Sequence, residues 1–396
     1  MSTKTTFVSL FSGCGGLDTG FIESGFQCKS ALDIDDKVID VHRMNLGDSG
    51  KVADIRETTK EHLMANGKPT IIVSGSPCQG FSTVGKRDLH DPRNSLLLQA
   101  GRLAVEVMPK VFVAENVSGV LAGEHKIYWE HLDQMLRAAR YKTKTVKLNA
   151  ADLGLAQSRS RIFMIAWKSD RVPVFDFNTC KPKTLRDILS DVEGLPQHDK
   201  EFLRPDSVHH MIAQRIRQGQ KLCNVRGGDA SVHTWDIPEV YGKTTATERA
   251  VLLEIMKLRR SERARDYGDA DPVALRSLER EIGGSAKAVV NKLITKGYMK
   301  KVGSKFDLVN TFNGKYRRLG LGSISLTVDT RFGDPRYFLH PTEQRGFTVR
   351  EAARIQGFPD WFKFSEKSAD NYRMIGNAVP PPMAKYVAEG IRSVLN

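Results

Sequence analysis

Short apolar runs alternate with amphipathic helical stretches over the first 168 residues, and this alternation limits the folds open to the chain. The runs predicted to form buried strands lie at 6–11, 27–33, 69–74, 111–117, 142–148 and 161–166. Strands that alternate with helices build a mostly parallel sheet with helices on both faces. The sequence therefore predicts an α/β fold with a doubly wound sheet.

A glycine-rich turn follows the first predicted strand and leads into a short helix. Gly13, Gly15 and Gly16 let a ligand approach the backbone closely, and the N–H groups at the helix start can bind it. Asp33, at the end of the second strand, is placed to bind ribose hydroxyls. The spacing differs from the Gly-x-Gly-x-x-Gly of dinucleotide enzymes, because residue 18 is an aspartate. We therefore expect a nucleoside cofactor without a pyrophosphate.

Cys78 follows the predicted strand 69–74, where open α/β sheets bind their ligands. Pro77 fixes its own backbone torsion, and Gly75 and Gly80 supply backbone freedom on either side. This pattern favours a nucleophilic thiol on a loop that can close. The alternative is a buried structural cysteine, which is the commoner role of a free thiol.

Three further polar residues point to chemistry at the same edge of the sheet. Glu115 lies at the end of strand 111–117 and is a candidate acid, although a strand-end glutamate is often a cap or an ion-pair partner. Arg159 and Arg161 occupy alternate positions, so in a strand they would point the same way. Paired guanidinium groups suit a phosphate or the polar edge of a base. The alternative is a solvated pair.

The alternation stops near Lys168, and a different pattern follows. Helices are predicted at 247–257, 271–282 and 285–295, and a β-hairpin at 297–308. This order resembles a winged helix-turn-helix. Residues 248–318 hold 17 Lys and Arg against 9 Asp and Glu, which favours a polyanionic partner. The alternative is a helical insertion with solvated charges.

Composition narrows the class of protein further. The net charge is +14 and hydrophobic residues make up 40%, so we expect a folded basic protein that suits nucleic acid. The five cysteines form no Cys-x-x-Cys pair, so neither a metal site nor a disulfide framework is expected. No secretory signal and no long apolar run is visible. We therefore expect no membrane association and a cytoplasmic, nucleoid-associated location.

Taken together and in order, these motifs resemble those of the DNA (cytosine-5) methyltransferases. The segments that carry the resemblance are 11–16, 33–34, 54–55, 77–79, 115–117, 157–161, 350–354 and 376–379. The resemblance implies the sheet of S-adenosylmethionine-dependent methyltransferases and a smaller target-recognition domain. It predicts a catalytic and cofactor-binding domain at 1–168, a target-recognition domain at 169–337 and a return to the catalytic domain at 338–396. The winged-helix pattern at 248–318 falls inside the middle domain.

The resemblance also implies a role for each residue of the motifs. The catalytic residues it implies are Cys78, Glu115, Arg159 and Arg161. The residues it implies for S-adenosylmethionine are Phe11, Ser12, Gly13, Cys14, Gly15, Gly16, Leu17, Asp33, Ile34, Asp54, Ile55, Pro77, Asn377 and Ala378. Asp33 stands where the family more often has glutamate, and Ile34 where a side chain covers the adenine.

The implied reaction transfers a methyl group from S-adenosylmethionine to carbon 5 of a flipped-out cytosine in a specific duplex DNA site. It would proceed through a covalent adduct with Cys78, under a loop at 79–93, and leave S-adenosylhomocysteine. The expected partners are double-stranded DNA and a cognate restriction endonuclease or phage-defence proteins, with the enzyme itself a monomer. Two alternatives stay open, namely methylation of RNA cytosine and a DNA-binding regulator without catalysis.

Overall fold

The computed structural model describes residues 5–77, 94–175, 180–264, 271–284 and 286–395. The chain divides into two compact units. The first unit runs to Asp199 and also contains Gly322–Arg331 and the chain from Val349 on. The second unit consists of Lys200–Leu321 and Phe332–Thr348.

These divisions differ from the boundaries predicted after residues 168 and 337. Part of the segment after 168 stays with the first unit because it packs on the end of the chain. There Val174 N donates to Gly390 O at 3.0 Å, and Ser393 Oγ donates to Val172 O at 2.7 Å. Residues 338–348 stay with the second unit, where Phe332 stacks with both Phe338 and Phe347. The roles predicted for the domains stay predictions.

The first unit contains seven strands and nine helices among its described residues. The strands are β1 (Thr6–Leu10), β2 (Gln27–Asp33), β3 (Gly50–Val52), β4 (Ile71–Ser74), β5 (Val111–Val117), β6 (Lys142–Asn149) and β7 (Ser160–Trp167). The helices are α1 (Gly16–Glu23), α2 (Asp36–Leu46), α3 (Lys60–Met64), α4 (Ser95–Val107), α5 (Lys126–Ala138), α6 (Leu185–Leu189), α12 (Val349–Gln356), α13 (Ser368–Asn377) and α14 (Pro381–Gly390).

The strands form one sheet in the order β3-β2-β1-β4-β5-β7-β6. All pairs from β3 to β5 are parallel, and β7 runs antiparallel to both β5 and β6. The strand order reverses between β1 and β4, which is where a doubly wound sheet opens a crevice at the carboxyl ends of its strands. The predicted α/β fold is confirmed.

Helices cover both faces of the sheet because successive strand residues point to opposite sides. Phe7 packs with Phe21 of α1 and Met383 of α14 in one hydrophobic core. Its neighbour Val8 packs in a second core, with Leu103 of α4 and others. The two cores enclose the sheet and fix the edge from which the site residues project.

The second unit is built from short elements. Its helices are α7 (Val208–Arg215), α8 (Pro238–Tyr241), α9 (Ala246–Ser261), α10 (Leu275–Ile282) and α11 (Ala286–Thr295). Its strands are β8 (Lys221–Cys223), β9 (Ser231–Val232), β10 (Val273–Ala274), β11 (Met299–Val302), β12 (Lys305–Leu308), β13 (Asn313–Lys315), β14 (Arg317–Arg318) and β15 (Phe338–Leu339).

The helices and hairpin predicted from the sequence are present here, and the hairpin turns at Gly303 and Ser304 between β11 and β12. Within the described ranges of the chain, no helix combines the length and apolarity needed to cross a membrane.

Candidate active site

A cavity of about 480 Å³ opens at the carboxyl ends of β1, β2, β4 and β5 in the first unit. The predicted site residues that line it are Phe11, Ser12, Gly13, Cys14, Gly16, Leu17, Asp33, Ile34, Asp54, Ile55, Pro77, Glu115, Arg161, Asn377 and Ala378. Gly15 and Arg159 lie outside this lining. Cys78 and the loop 79–93 fall outside the described residues.

The loop between β1 and α1 bends sharply beside the cavity. Phe11 has φ 56°, Gly13 φ 55° and Gly15 φ 100°, three left-handed conformations within five residues. A Cβ atom at Gly13 would meet no atom of the described residues within 4 Å, so these residues leave the cavity side of the loop open. A Cβ atom at Gly16 would instead lie 2.5 Å from Val379 O. Glycine at 16 therefore lets the start of α1 approach the segment after α13.

Asp33, at the end of β2, holds the glycine loop in place. Its Oδ2 accepts a hydrogen bond from Gly13 N at 2.9 Å, and its Oδ1 accepts one from Asp35 N at 3.1 Å. Burial raises the pKa of the Asp33 carboxyl, and these backbone donors oppose the rise. Next to it, the side chain of Ile34 is 63% exposed although it is large and apolar. The pair offers an acceptor and an uncovered apolar surface side by side.

Asp54 and Ile55 line the cavity just after β3. Ile55 is buried, and Asp54 accepts hydrogen bonds from the guanidinium of Arg56, with Nε 3.0 Å from each carboxylate oxygen. These bonds lower the pKa of Asp54, so its carboxylate is ionised.

Glu115 and Arg161 form a buried ion pair at the floor of the cavity. Arg161 Nε lies 2.9 Å from Glu115 Oε1, across the antiparallel pair of β5 and β7. Burial raises the pKa of the Glu115 carboxyl, and the nearby Arg161 and Arg159 only partly oppose this effect. The direction of the shift favours a protonated or proton-sharing carboxyl.

The segment Gly75–Pro77 reaches the same floor from β4. Ser74 pairs with Ala114, so Gly75 and Glu115 follow at the same level of neighbouring strands. A Cβ atom at Gly75 would lie 4.0 Å from Glu115 Oε2. Pro77, the residue directly before Cys78 in the sequence, therefore lines the cavity.

Arg159 donates to backbone carbonyls, and its predicted role toward a phosphate, a base edge or Glu115 stays a prediction. Its side chain is 1% exposed, and Nη1 donates to Val328 O at 3.0 Å. Nη2 donates to Gly376 O and to Ala378 O, both at 2.9 Å. These carbonyls belong to the end of α13 and the segment 322–331, so the guanidinium stabilises the far wall of the cavity. Its charge also opposes the rise in the pKa of Glu115.

Sequence reasoning assigned no role to two residues that shape the site. Asn116 Nδ2 donates to Ser76 Oγ at 3.2 Å and so ties the segment just after β4 to β5. Its position directly after Glu115 was a signal that could have been used. Gln356 Nε2 donates to Ala378 O at 2.6 Å, beside the bond from Arg159. No local pattern pointed to this second contact, because it joins residues from different helices.

The fold and the site define an α/β protein with a cavity at the carboxyl ends of its strands and a buried acid paired with an arginine inside it. The model of the C-5 cytosine-specific DNA methylase family matches residues 5–393, and the chain belongs to that family. It is therefore a DNA (cytosine-5) methyltransferase, and the reaction of the family is S-adenosylmethionine-dependent methylation of cytosine at carbon 5.

Characterised relatives resemble the chain over nearly its whole length. The Type II methyltransferase M.HgiCII of Herpetosiphon aurantiacus is 29% identical, over 95% of this chain and 94% of its own. M.XorII of Xanthomonas oryzae pv. oryzae is 29% identical, over 99% of this chain and 86% of its own. A solved putative DNA modification methyltransferase from an E. coli prophage shares the fold with a TM-score of 0.60 and 24% identity, covering 99% of this chain and 100% of its own.

Proposed function

We propose that this methyltransferase acts on a flipped-out cytosine in a specific duplex DNA site, with Cys78 as nucleophile and Glu115 as the acid beside it. The observation that carries the proposal is the buried Glu115–Arg161 pair at the level of Gly75, with Pro77 lining the same cavity. Glu115 lies level with Gly75, and Cys78 follows Gly75 by three residues in the sequence.

The cavity suits S-adenosylmethionine in shape and chemistry. The open side of Gly13 leaves room for a ligand against the backbone, and Ser12 Oγ is buried there without a hydrogen-bond partner among the described residues. Asp33 would hold the ribose hydroxyls, and the exposed side chain of Ile34 would cover the adenine. When bound, S-adenosylmethionine supplies an electrophilic methyl group. Asn377 and Ala378 would close the pocket from the end of α13.

Cytosine carbon 5 is a weak nucleophile, so the enzyme has to activate the ring. Addition of a thiolate to carbon 6 makes carbon 5 enamine-like, which divides one difficult step into easier ones. We assign that thiolate to Cys78. Of the four cysteines that the structure describes, Cys14 is the one that lines the cavity, and burial raises the pKa of its thiol to about 12. A thiol in that state is a poor nucleophile at neutral pH.

Glu115 would donate a hydrogen bond to ring nitrogen 3 of the cytosine and so favour addition at carbon 6. Its raised pKa supports this role, since the carboxyl must carry a proton in order to donate. Arg161 holds Oε1, which leaves Oε2 on the side of Gly75. The arginine thus orients the carboxyl and does not need to touch the base.

A cytosine stacked in a duplex hides carbon 6, so the base must leave the helix, at a cost of roughly a few kcal/mol. The relatives named Type II methyltransferases support a further proposal, that a cognate restriction endonuclease or phage-defence protein recognises the same DNA sequence. Bisulfite sequencing of host DNA with and without this gene would identify the methylated sequence.

Trapping of the covalent adduct tests the proposal. Full-length enzyme, S-adenosylmethionine and a duplex with 5-fluorocytosine at the target should give a complex that survives denaturation, because fluorine cannot leave as a proton does. Cys78→Ala should form no complex and lose methyl transfer by at least ~10³-fold. Cys180→Ala, which changes an exposed cysteine outside the cavity, should behave like the parent.

An adduct in the Cys78→Ala variant would contradict the assignment of the nucleophile. Methyl incorporation into total RNA but not into duplex DNA would contradict the proposed substrate and favour the RNA alternative.

A further inference from the structure

Two buried side chains, Asp18 and His42, face each other behind the glycine loop, and neither lines the cavity. Asp18 lies in the first turn of α1, and His42 lies in α2. His42 Nε2 and Asp18 Oδ2 are 2.9 Å apart, and both side chains are 0% exposed. The pair therefore joins the helix that follows the glycine loop to the helix that follows β2.

Glycines on two sides of the imidazole let this pair come close to the loop. A Cβ atom at Gly15 would lie 3.1 Å from His42 Cδ2, and one at Gly50 would lie 3.0 Å from His42 Nδ1. The imidazole thus fills the space that side chains at 15 and 50 would need. Asp18 directly follows Leu17, which lines the cavity, so the carboxylate is buried next to the cavity wall.

The hydrogen bonds of the pair favour a neutral imidazole. Neither Nδ1 of His42 nor Oδ1 of Asp18 has a hydrogen-bond partner among the described residues. A proton on Nδ1 would therefore be buried without an acceptor, which is costly. A proton on Nε2 is instead donated to Asp18. The histidine then donates without carrying a charge, and the carboxylate keeps its negative charge.

The charge of Asp18 acts on the cavity wall. Burial is the main reason why the pKa of the Cys14 thiol is raised to about 12, and the negative charges of Asp18 and Asp33 add to the rise. The N–H groups at the start of α1 act in the opposite sense, because a helix N-terminus carries a positive charge of about half a unit. A full negative charge in the first turn outweighs this partial charge, so the loop is electronegative.

The cations that line the cavity are already neutralised. The charged residues of the lining are Asp33, Asp35, Asp54, Arg56, Glu115, Arg161 and Arg373. Each of the three arginines forms an ion pair with an acid of this set. Asp33 binds backbone N–H groups instead of a cation. Negative charge therefore predominates next to the glycine loop.

The order of the strands places the sulfur of a bound S-adenosylmethionine over this loop. Strand β1 lies between β2 and β4, and β5 follows β4. A ribose held by Asp33 lies at the end of β2, and a methyl group directed toward Glu115 points to the end of β5. The sulfur joins these two parts of the ligand, so it lies over the end of β1, where the loop begins. This sulfur is positively charged in S-adenosylmethionine and neutral in S-adenosylhomocysteine.

We infer that Asp18 is a specificity-determining residue that makes the cavity prefer the cationic methyl donor to its neutral product, with His42 as the neutral group that holds the carboxylate behind the loop. The inference deepens the proposed function and rests on the proposed use of S-adenosylmethionine in this cavity. A buried carboxylate attracts the sulfonium with little screening by salt. Transfer of the methyl group removes the positive charge, so the product loses this attraction and leaves more readily.

Calorimetric titration of the full-length protein without DNA tests the inference, with S-adenosylmethionine and S-adenosylhomocysteine as separate ligands. Asp18→Asn removes the charge and keeps an oxygen that accepts a hydrogen bond from His42. It should weaken binding of S-adenosylmethionine roughly tenfold, which is the size of the attraction between two unit charges on the order of 10 Å apart at an effective dielectric constant of about 20. Binding of S-adenosylhomocysteine should change less than about twofold on the same grounds, because this ligand carries no charge on sulfur.

Asp40→Asn is the matched control, since it removes the same charge from an exposed position of α2. Solvent and salt screen an exposed charge, so both affinities should stay within about twofold of the parent. Asp18→Ser is a second uncharged variant with a smaller side chain, and it should change the ratio of the two affinities as Asp18→Asn does. Urea unfolding shows whether each variant is folded.

Equal losses of affinity for both ligands in the Asp18 variants would overturn the inference, because Asp18 would then only support the structure of the loop. An unchanged ratio would overturn it as well, and so would a ratio that falls equally in Asp40→Asn. A parent protein that binds neither ligand would contradict the proposed cofactor itself. A parent that binds both, with a ratio that Asp18 does not affect, would contradict this inference alone.

Discussion

Arg159 lies just before β7 and Arg161 near its start, but the two side chains make different contacts. Arg161 orients Glu115 inside the cavity, at 2.9 Å. Arg159 binds three backbone carbonyls, among them that of Ala378 in the cavity wall. The sequence predicted one shared direction for both guanidinium groups, but their hydrogen-bond and ion-pair partners differ. Contacts with residues far along the chain, such as Val328 and Gly376 for Arg159, decide which guanidinium group lines the cavity.

These different contacts predict that Arg159→Met mainly lowers stability, whereas Arg161→Met mainly lowers activity. Arg159→Met should lower the free energy of unfolding by about 2–4 kcal/mol, because buried carbonyls lose a charged donor. Arg161→Met should lower kcat by at least ~10-fold with a smaller loss of stability, because Glu115 loses its orientation. Urea unfolding and single-turnover methylation of a duplex measure the two effects. A variant of Arg159 that unfolds like the parent would contradict this reading.

Glu115 should set the alkaline limit of activity. Burial raises its pKa, so the carboxyl keeps its proton to higher pH than usual and loses its donor role as the pH rises through that value. Glu115→Gln keeps a donor that does not titrate. Its rate should be about 10²–10⁴ lower, and the alkaline limb of kcat/KM should be absent. The raised pKa also implies that the stability contributed by the neutral form is present at low pH and lost as the pH passes the folded-state pKa.

A Gln variant whose alkaline limb matches the parent would show that another group titrates there. The profile has to be measured in kcat/KM, which reports on the free enzyme.

At the scale of elements, buried strands were the best predicted part of the fold. β2 and β5 have the predicted bounds, and each contains an uninterrupted buried stretch, residues 30–32 in β2 and 111–116 in β5. Helix α1 begins at Gly16, within the predicted glycine-rich turn, since Gly15 already turns the chain with φ 100°. The role of Arg159 and the packing of 169–199 escaped prediction. Both depend on contacts with residues far along the chain, which a local pattern does not contain.

The packing of α1 against α14 offers a test at this scale. Alanine favours a helix over glycine by about 1 kcal/mol, so propensity alone predicts that Gly20→Ala stabilises α1. A Cβ atom there would, however, lie 2.4 Å from Pro381 O and 2.5 Å from Lys385 N, which are backbone atoms. We expect a net loss of about 1–3 kcal/mol in the free energy of unfolding.

Gly101→Ala in α4 is the matched control. Its Cβ would meet the tip of the Leu132 side chain at 2.4 Å, and a side chain can turn away. The two variants, compared by urea unfolding, should differ by at least ~1 kcal/mol, with Gly20→Ala the less stable. Equal stabilities would show that α14 can shift away from α1.

At the scale of the whole molecule, the first unit is assembled from separate stretches of chain, and its two ends meet at the cavity. The loop 11–17 supplies one wall, and 373–379 supplies another more than 350 residues later. A Cβ atom at Gly16 would overlap Val379 O, which shows how closely the two walls approach. A ligand in this cavity therefore binds a shape that exists only when both ends of the chain are in place.

Binding of S-adenosylhomocysteine should consequently protect both ends of the chain at once. At about 100 times its Kd a ligand stabilises the binding state by about 2.7 kcal/mol, and every local opening that destroys the site has to overcome that energy. Amide hydrogen exchange should slow in 11–17 and in 373–379 together, whereas 246–308, which contributes no residue to the cavity, should exchange as before. Asp33→Ala, which removes the acceptor for Gly13 N, should abolish the effect at both ends. Protection of 11–17 alone would mean that the end of α13 can open while the ligand stays bound. Ligand binding would then depend on residues 11–17 and not on residues 373–379.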